Sequence, residues 1–464
     1  MERLGVRSLQ AALGDWQTGA GASLAGRLAA AFRVAVESEV LAPDTVLPAE
    51  RSIARALGVS RSTVTAALLA LKDDGLVEAR HGSGTSVRAL ESAATSGADR
   101  GVIDLAESSP GDARALPVVG VDLDALLRSG SSLGYTPAGL PALRRAVAER
   151  FTADGLATLA AEVVITNGAH HALALCFAQF AEPASVVLLD EPTYPGVLDL
   201  LRARGLEPVP LPRTSGAIDV ALLREQVERT GATVAYLQTL VHNPTGFIGD
   251  STALDELASV VEELGLRVIE DVVLADLRFD HTKPAPLAAR VTRRHPSGGA
   301  SVVVVGSVSK LGWGGLRIGW LRAEVSEVEQ MLRSRRADDL GSSVPSQVIS
   351  AAVLAEFEVL AESRQRTLAR RAELACQLLR EGCPGWRFTP PEGGLSIWVE
   401  LPEGVSAGQL VLDAATHGVV VATGESSSTT DAGRRHLRLC FDRPEPQLRE
   451  GLRRLVLACS PEGG

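Results

Sequence analysis

Five stretches constrain this chain more than anything else: "AEVVIT", "ASVVLLD", "ATVAYLQT", "LRVIED" and "SVVVVGS". Each is an apolar run rich in Val, Ile or Leu, and most lead into a helical pattern. Strands that are apolar without alternation suit a sheet covered by helices on both faces, so the fold class is α/β. From about Ala337 the pattern changes. A long helical stretch precedes "GLSIWVEL" and "LRLCF", which read as strands of a smaller α+β segment.

The chain has 464 residues, too many for one ordinary domain. Residues 90–100, "LESAATSGADR", carry no apolar periodicity and read as a linker. It divides a module over 1–89 from a body over 101–464. The net charge of −10 argues against a nucleic-acid partner only on average. Residues 1–90 hold ten Lys/Arg against nine Asp/Glu, so the acidity lies in the body. No apolar run approaches the ~20 residues of a membrane span, and "MERLGVRSLQ" shows no export signal. The five scattered cysteines have no metal-ligand spacing and fit a reducing compartment. A cytoplasmic protein without a metal site is the expectation.

In the N-terminal module, Leu24, Leu28, Ala31, Phe32 and Val36 follow helical spacing. "PAERSIARALG" predicts a second helix, with Pro48 in its first turn and Gly58 at its end. "VSRSTVTAALLALKDDG" predicts a third, capped by Ser60. "LVEARHGSGTSVRAL" reads as a hairpin with a Gly-rich tip. This is the order of a winged helix-turn-helix, whose second motif helix enters the major groove by its N-terminal residues. Ser60, Arg61, Ser62, Thr63 and Thr65 are those residues, with Arg51, His81 and Gly82 as further DNA-facing candidates. A forked guanidinium suits guanine or phosphate, and hydroxyls suit phosphate oxygens.

The whole chain has only three lysines, Lys72, Lys283 and Lys310, and Lys310 stands at the mouth of an apolar strand in "SVSKLGWGGLRIGW". An amine there can form a Schiff base with an aldehyde cofactor. Pyridoxal phosphate (PLP) needs four more groups. "TNGAHHALAL" supplies a glycine at a strand-to-helix turn for the phosphate, with Ser307 and Arg317 flanking the lysine. Asp271 ends "LRVIED" and suits the pyridine nitrogen. Tyr194 in "DEPTYPG" suits stacking on the ring, and Asn243 in "HNPTG" suits its oxygen. His170, His171 and His242 show no metal spacing and read as packed or hydrogen-bonded residues.

Two resemblances follow from these motifs. "LPAERSIARALGVSRSTVTAALLALKDDGLVEARHGSGTSV" resembles the winged helix of the GntR superfamily. That implies Arg51, Arg61, Ser62, Thr63, His81 and Gly82 face operator DNA. Thr65 departs from a family that often has a basic residue there. "GYTPAGLPALRRAVAERF", "TNGAHHAL", "EPTYPG", "HNPTG", "SVSKLGWGGLRIGW" and "LRLCF" resemble, in order, fold-type I aminotransferases. By that resemblance Lys310 carries PLP, Asp271 holds its ring nitrogen, Tyr194 stacks and Asn243 bonds the ring oxygen. Ala169, His170, Ser307 and Arg317 hold the phosphate. Tyr135 reaches the phosphate site of the other subunit of a homodimer, and Arg438 clamps the α-carboxylate of an amino acid. Such enzymes usually place a tyrosine two or three residues after the aspartate, where this chain has Val273 and Leu274. Together the two parts resemble the MocR/GabR class of bacterial transcriptional regulators. The resemblance implies a PLP-dependent regulator that senses an amino acid or related effector. An active aminotransferase with a DNA module, or a regulator sensing PLP itself, are the alternatives.

Overall fold

Local signals set the N-terminal unit. Gly58 follows the helix Glu50–Leu57 with φ 66°, the left-handed C-cap that glycine adopts without a Cβ clash. Two residues on, Ser60 Oγ accepts the Thr63 N–H (3.1 Å) and starts the helix Arg61–Asp73. Ile53 and Leu57 from the first helix, with Val64, Ala67 and Leu71 from the second, are buried. They share one core with Leu28, Phe32 and Val36 of the helix Leu24–Glu37 and with Leu9 and Leu13 of Val6–Leu13. Strands β1 (Val77–Arg80) and β2 (Gly84–Val87) form the antiparallel hairpin. Three of these helices and the hairpin follow in the expected order, and the helix Val6–Leu13 before them is an addition to the order expected from the sequence. The Glu50 helix starts later than the sequence suggests. Ala49 is extended at φ −56°, ψ 142° and its carbonyl accepts the first helical bonds, so Pro48 precedes the first turn.

The computed structural model describes residues 4–13, 16, 23–37, 41, 45–73, 76–80, 84–87, 101–108, 134–214, 216–282, 284–291 and 301–459. The linker over 90–100 and the hairpin-tip residues His81 and Gly82 lie outside them. Two units, 1–100 and 101–464, separate by their internal contacts. Among the described residues no single helix is long and apolar enough to cross a membrane.

The second unit opens with β3 (Ile103–Asp104). Its large sheet comprises β4 (Val163–Thr166), β5 (Val186–Glu191), β6 (Glu207–Thr214), β7 (Ala217–Ile218), β8 (Val234–Leu237), β9 (Arg267–Asp271), β10 (Ser301–Ser307) and β11 (Gly319–Arg322). The order is β4-β11-β10-β9-β8-β5-β6-β7. β11 and β7 run antiparallel to their neighbours, and the other six strands run one way. β4 and β8 are buried along their whole length, as their unbroken apolar runs require. Separate apolar clusters cover the two faces. One includes Leu173, Phe177 and Met331, and the others include Leu223, Leu257, Val261, Leu143 and Val147.

The smaller segment is an antiparallel sheet of β12 (Arg387–Phe388), β13 (Ser396–Glu400), β15 (Ala422–Thr423) and β16 (His436–Cys440), in the order β12-β13-β16-β15. The helices Phe357–Gly382, Ala407–Thr416 and Glu445–Cys459 pack against it. β14 (Val419–Val420) pairs in parallel with β3, which ties the start of the unit into this segment.

Candidate functional site

Five of the parallel strands deliver the chemistry at their C-terminal ends, where open α/β sheets bind ligands. After β4, Gly168 caps the helix Ala169–Phe180 with φ 82°. A Cβ on Gly168 would sit 2.9 Å from Arg317 Nη2, so the glycine leaves room for a guanidinium over the helix N-terminus. Arg317 donates from that position to Asn167 O (3.2 Å). Its φ of 51° is left-handed, a conformation uncommon for a non-glycine residue. A helix N-terminus and a guanidinium make a strong anion cradle. His170 stands beside it, its pKa lowered by burial and by the Arg317 charge. Its ring meets Tyr194 edge-on, with centroids 6.4 Å apart.

Ser307 ends β10. Its hydroxyl donates to Ile318 O (2.8 Å) and accepts the Ser309 N–H (3.0 Å), so it braces the β10–β11 turn. Lys310 follows. Its Nζ donates to Ser108 O (2.6 Å), and burial lowers its pKa against the opposing pull of Glu107. Neutral amine, the nucleophilic form, is therefore reached at a lower pH than for a free lysine. Arg438, on β16, donates from Nη2 to Ala106 O (2.8 Å), while its buried Nε has no partner among the described residues. Lys310 and Arg438 thus converge on carbonyls two residues apart in one segment.

Asp271 ends β9 and is 8% exposed. Tyr236 Oη donates to its Oδ2 (2.6 Å) and the Val273 N–H to its Oδ1 (2.9 Å). Burial raises its pKa, and these two donors and Lys310 oppose the rise. Tyr194 caps the helix Pro195–Arg204. Burial and the charges of Asp271 and Glu107 raise its phenol pKa, while Arg317 and Arg438 pull it down. One phenol therefore senses the cradle arginine, the strand-end aspartate and the β16 arginine together. Gln238 brackets Asn243 by its backbone, accepting its N–H (3.1 Å) and donating to its carbonyl (3.2 Å). Tyr135 is 61% exposed. His242 is packed as expected, with Nδ1 on Thr245 Oγ1 (2.8 Å) and Nε2 on Pro192 O (2.9 Å).

Two features escaped the sequence. Tyr236 is one of three tyrosines, and its place in an apolar strand looks like core. Buried Asp442 gathers Arg364 and Arg371 just past β16, and Arg364 also donates to Lys310 O (3.4 Å).

In the N-terminal unit Arg61 keeps 60% of its side chain exposed, with Nε on Glu50 Oε2 (3.3 Å). Ser60 Oγ lies 2.8 Å from Ser62 Oγ and 2.7 Å from Thr63 Oγ1, a cluster of hydroxyls at the helix start. Arg51 is exposed. The Thr65 hydroxyl donates to Glu50 Oε2 (2.9 Å) and Arg61 O (3.0 Å).

PLP presents a phosphate dianion, a ring nitrogen and an aldehyde. The donor set fits all three: the Gly168–Arg317 cradle, the buried carboxylate of Asp271 and the buried amine of Lys310. The comparisons agree. A family model described as aminotransferase class I and II matches residues 100–455, and one described as bacterial regulatory proteins, gntR family, matches residues 24–87. The HTH-type transcriptional regulator YdfD of Bacillus subtilis is 28% identical over 418 residues, 82% of this chain and 84% of that protein. The 2-aminoadipate transaminase of Thermus thermophilus is 30% identical, over 66% of this chain and 77% of that protein. The structure of LysN, an α-aminoadipate aminotransferase from the same species complexed with N-(5'-phosphopyridoxyl)-L-leucine, gives a TM-score of 0.70 at 28% identity. It covers 77% of this chain and 92% of that one. The chain therefore belongs to the aminotransferase class I and II family, and with its gntR-family N-terminal domain it is a PLP-dependent DNA-binding transcriptional regulator.

Proposed function

We propose that the body senses an α-amino acid or a close analogue and passes its occupancy to the DNA-binding module of a homodimer. The observation that carries this is the convergence of Lys310 and Arg438 on Ser108 O and Ala106 O. An α-amino acid carries the two groups that such a pair distinguishes. Its carboxylate suits the Arg438 guanidinium, and its amine can compete with the Lys310 amine for one aldehyde carbon. Bound PLP supplies that aldehyde and an electron-withdrawing ring. Lys310 would hold it covalently, Asp271 would fix its ring nitrogen, Asn243 its ring oxygen and Tyr194 its face. Arg317, Ala169, His170 and Ser307 would take the phosphate, with Tyr135 of one subunit serving the other. Val273 and Leu274 bring no phenol to the ring oxygen, which favours sensing over fast turnover.

A ligand shifts a DNA-binding equilibrium only by its differential affinity for two states. Exchange at Lys310 separates such states by a covalent bond. In Arg438→Ala, the change in operator affinity on adding amino acids should therefore be lost. A DNA titration with and without each amino acid, run on both proteins, is the test. An undiminished response in the variant would reject the carboxylate clamp and favour sensing of PLP itself. Sustained multiple-turnover transamination would instead favour a working enzyme with an attached DNA module. On the DNA side, Arg61→Ala should weaken operator binding by roughly 1–3 kcal/mol if the guanidinium reads a base edge. A uniform loss on all sequences, with a flatter salt dependence, would mark a phosphate contact instead.

A further inference from the structure

We infer that Tyr236 is a positioning residue for Asp271 and, through it, holds the proton on the PLP ring nitrogen. Register puts the two on one sheet face. Tyr236 on β8 lies opposite Ile269 on β9, and Asp271 is two residues further along, the diagonal neighbour within reach of a long side chain. The phenol is fully buried and its Oη meets Asp271 Oδ2 at 2.6 Å. Since the carboxylate only accepts, the phenol donates. Burial and the Asp271 charge raise the Tyr236 pKa, so it remains a donor across the working pH range.

Asp271 is useful to the ring only as an anion, and burial works against that form. Among the described residues, the groups that face it are few. Val273 N–H donates to it from its own loop, Lys310 lies beyond β10, and Tyr194 and Asp190 lie on the β5 side. Asp190, the one carboxylate among them, is tied to Arg213 at 2.8 Å. Tyr236 therefore supplies the side-chain hydrogen bond that offsets burial of the Asp271 charge. This rests on the cofactor site and not on the identity of the effector.

The test uses full-length protein loaded with PLP, comparing wild type, Tyr236→Phe, Asp271→Asn and the double variant. Two quantities are read: the PLP dissociation constant, and the midpoint pH of the cofactor's visible absorbance. A proton on the ring nitrogen repels a proton on the lysine-linked nitrogen, so weakening the first should move that midpoint upward. Tyr236→Phe is expected to raise the dissociation constant by about tenfold or more, the scale of a hydrogen bond to a charged group, and to raise the midpoint. In the Asp271→Asn background it should change neither. Unchanged values in the single variant, or an equal loss in both backgrounds, would overturn the inference. Should Tyr236→Phe not fold, the Asp271→Asn pair decides alone: equal dissociation constants support the inference and a further loss sinks it. Wild-type protein that takes up no PLP would fail earlier, at the cofactor reading, and is told apart in that way.

Discussion

Lys310→Ala is expected to lose the visible absorbance of lysine-linked PLP completely, with its fold kept. Only an amine can form that bond, and Lys310 stands just past a buried strand of the large sheet. Its neighbours hold it ready. Arg364 donates to its carbonyl, and burial favours its neutral amine. Reduction of the wild-type protein with borohydride, followed by peptide mapping, is the direct check. A reduced cofactor found on Lys72 or Lys283 would reject the assignment.

The largest loss of stability should come from Asp442→Ala. Asp442 is 2% exposed. It takes both ends of the Arg364 guanidinium and Arg371 Nη1 at 3.0 Å, with Arg443 beside it. Arg443 in turn donates to Asp104 O and Glu107 O, both at 2.7 Å. Removing the carboxylate leaves buried guanidinium charge without its counter-ion, at a cost of about 3–5 kcal/mol. Burial pushes the Asp442 pKa up, but Arg364 and Arg371 bring it net below its ordinary value of 3.8. A depressed carboxyl pKa contributes stability above the unfolded value, and that contribution fades as pH falls through the folded one. The gap between wild type and variant in urea unfolding should therefore be full near neutrality and shrink below about pH 4. A difference under about 1 kcal/mol at neutral pH would show that the arginines find other partners.

The sequence by itself determined what depends on near neighbours and on burial of whole segments. Ser60 and Gly58 mark helix ends because capping is local. The β5, β8, β9 and β10 runs declare themselves because a strand covered on both faces has no polar side to show. Lys310, Asp271, Tyr194 and the Gly168 turn were legible for a related reason. Each stands just past such a run, and the parallel sheet gathers strand ends at one edge. β6 was not legible, because Pro208, Pro210 and Pro212 argue against a strand. Tertiary structure decides it. The Glu207 N–H bonds toward Ser185 on the β5 side, so the alternate prolines face the side where only short β7 pairs, and no ladder donor is lost. The use of the Ser307 hydroxyl, the hold of Asp442 on two arginines and the bond from Tyr236 to Asp271 belong to the same class. Each joins residues distant in sequence, or chooses among partners by direction, and only the register of neighbouring strands and the packing of helices on them sets which atoms meet.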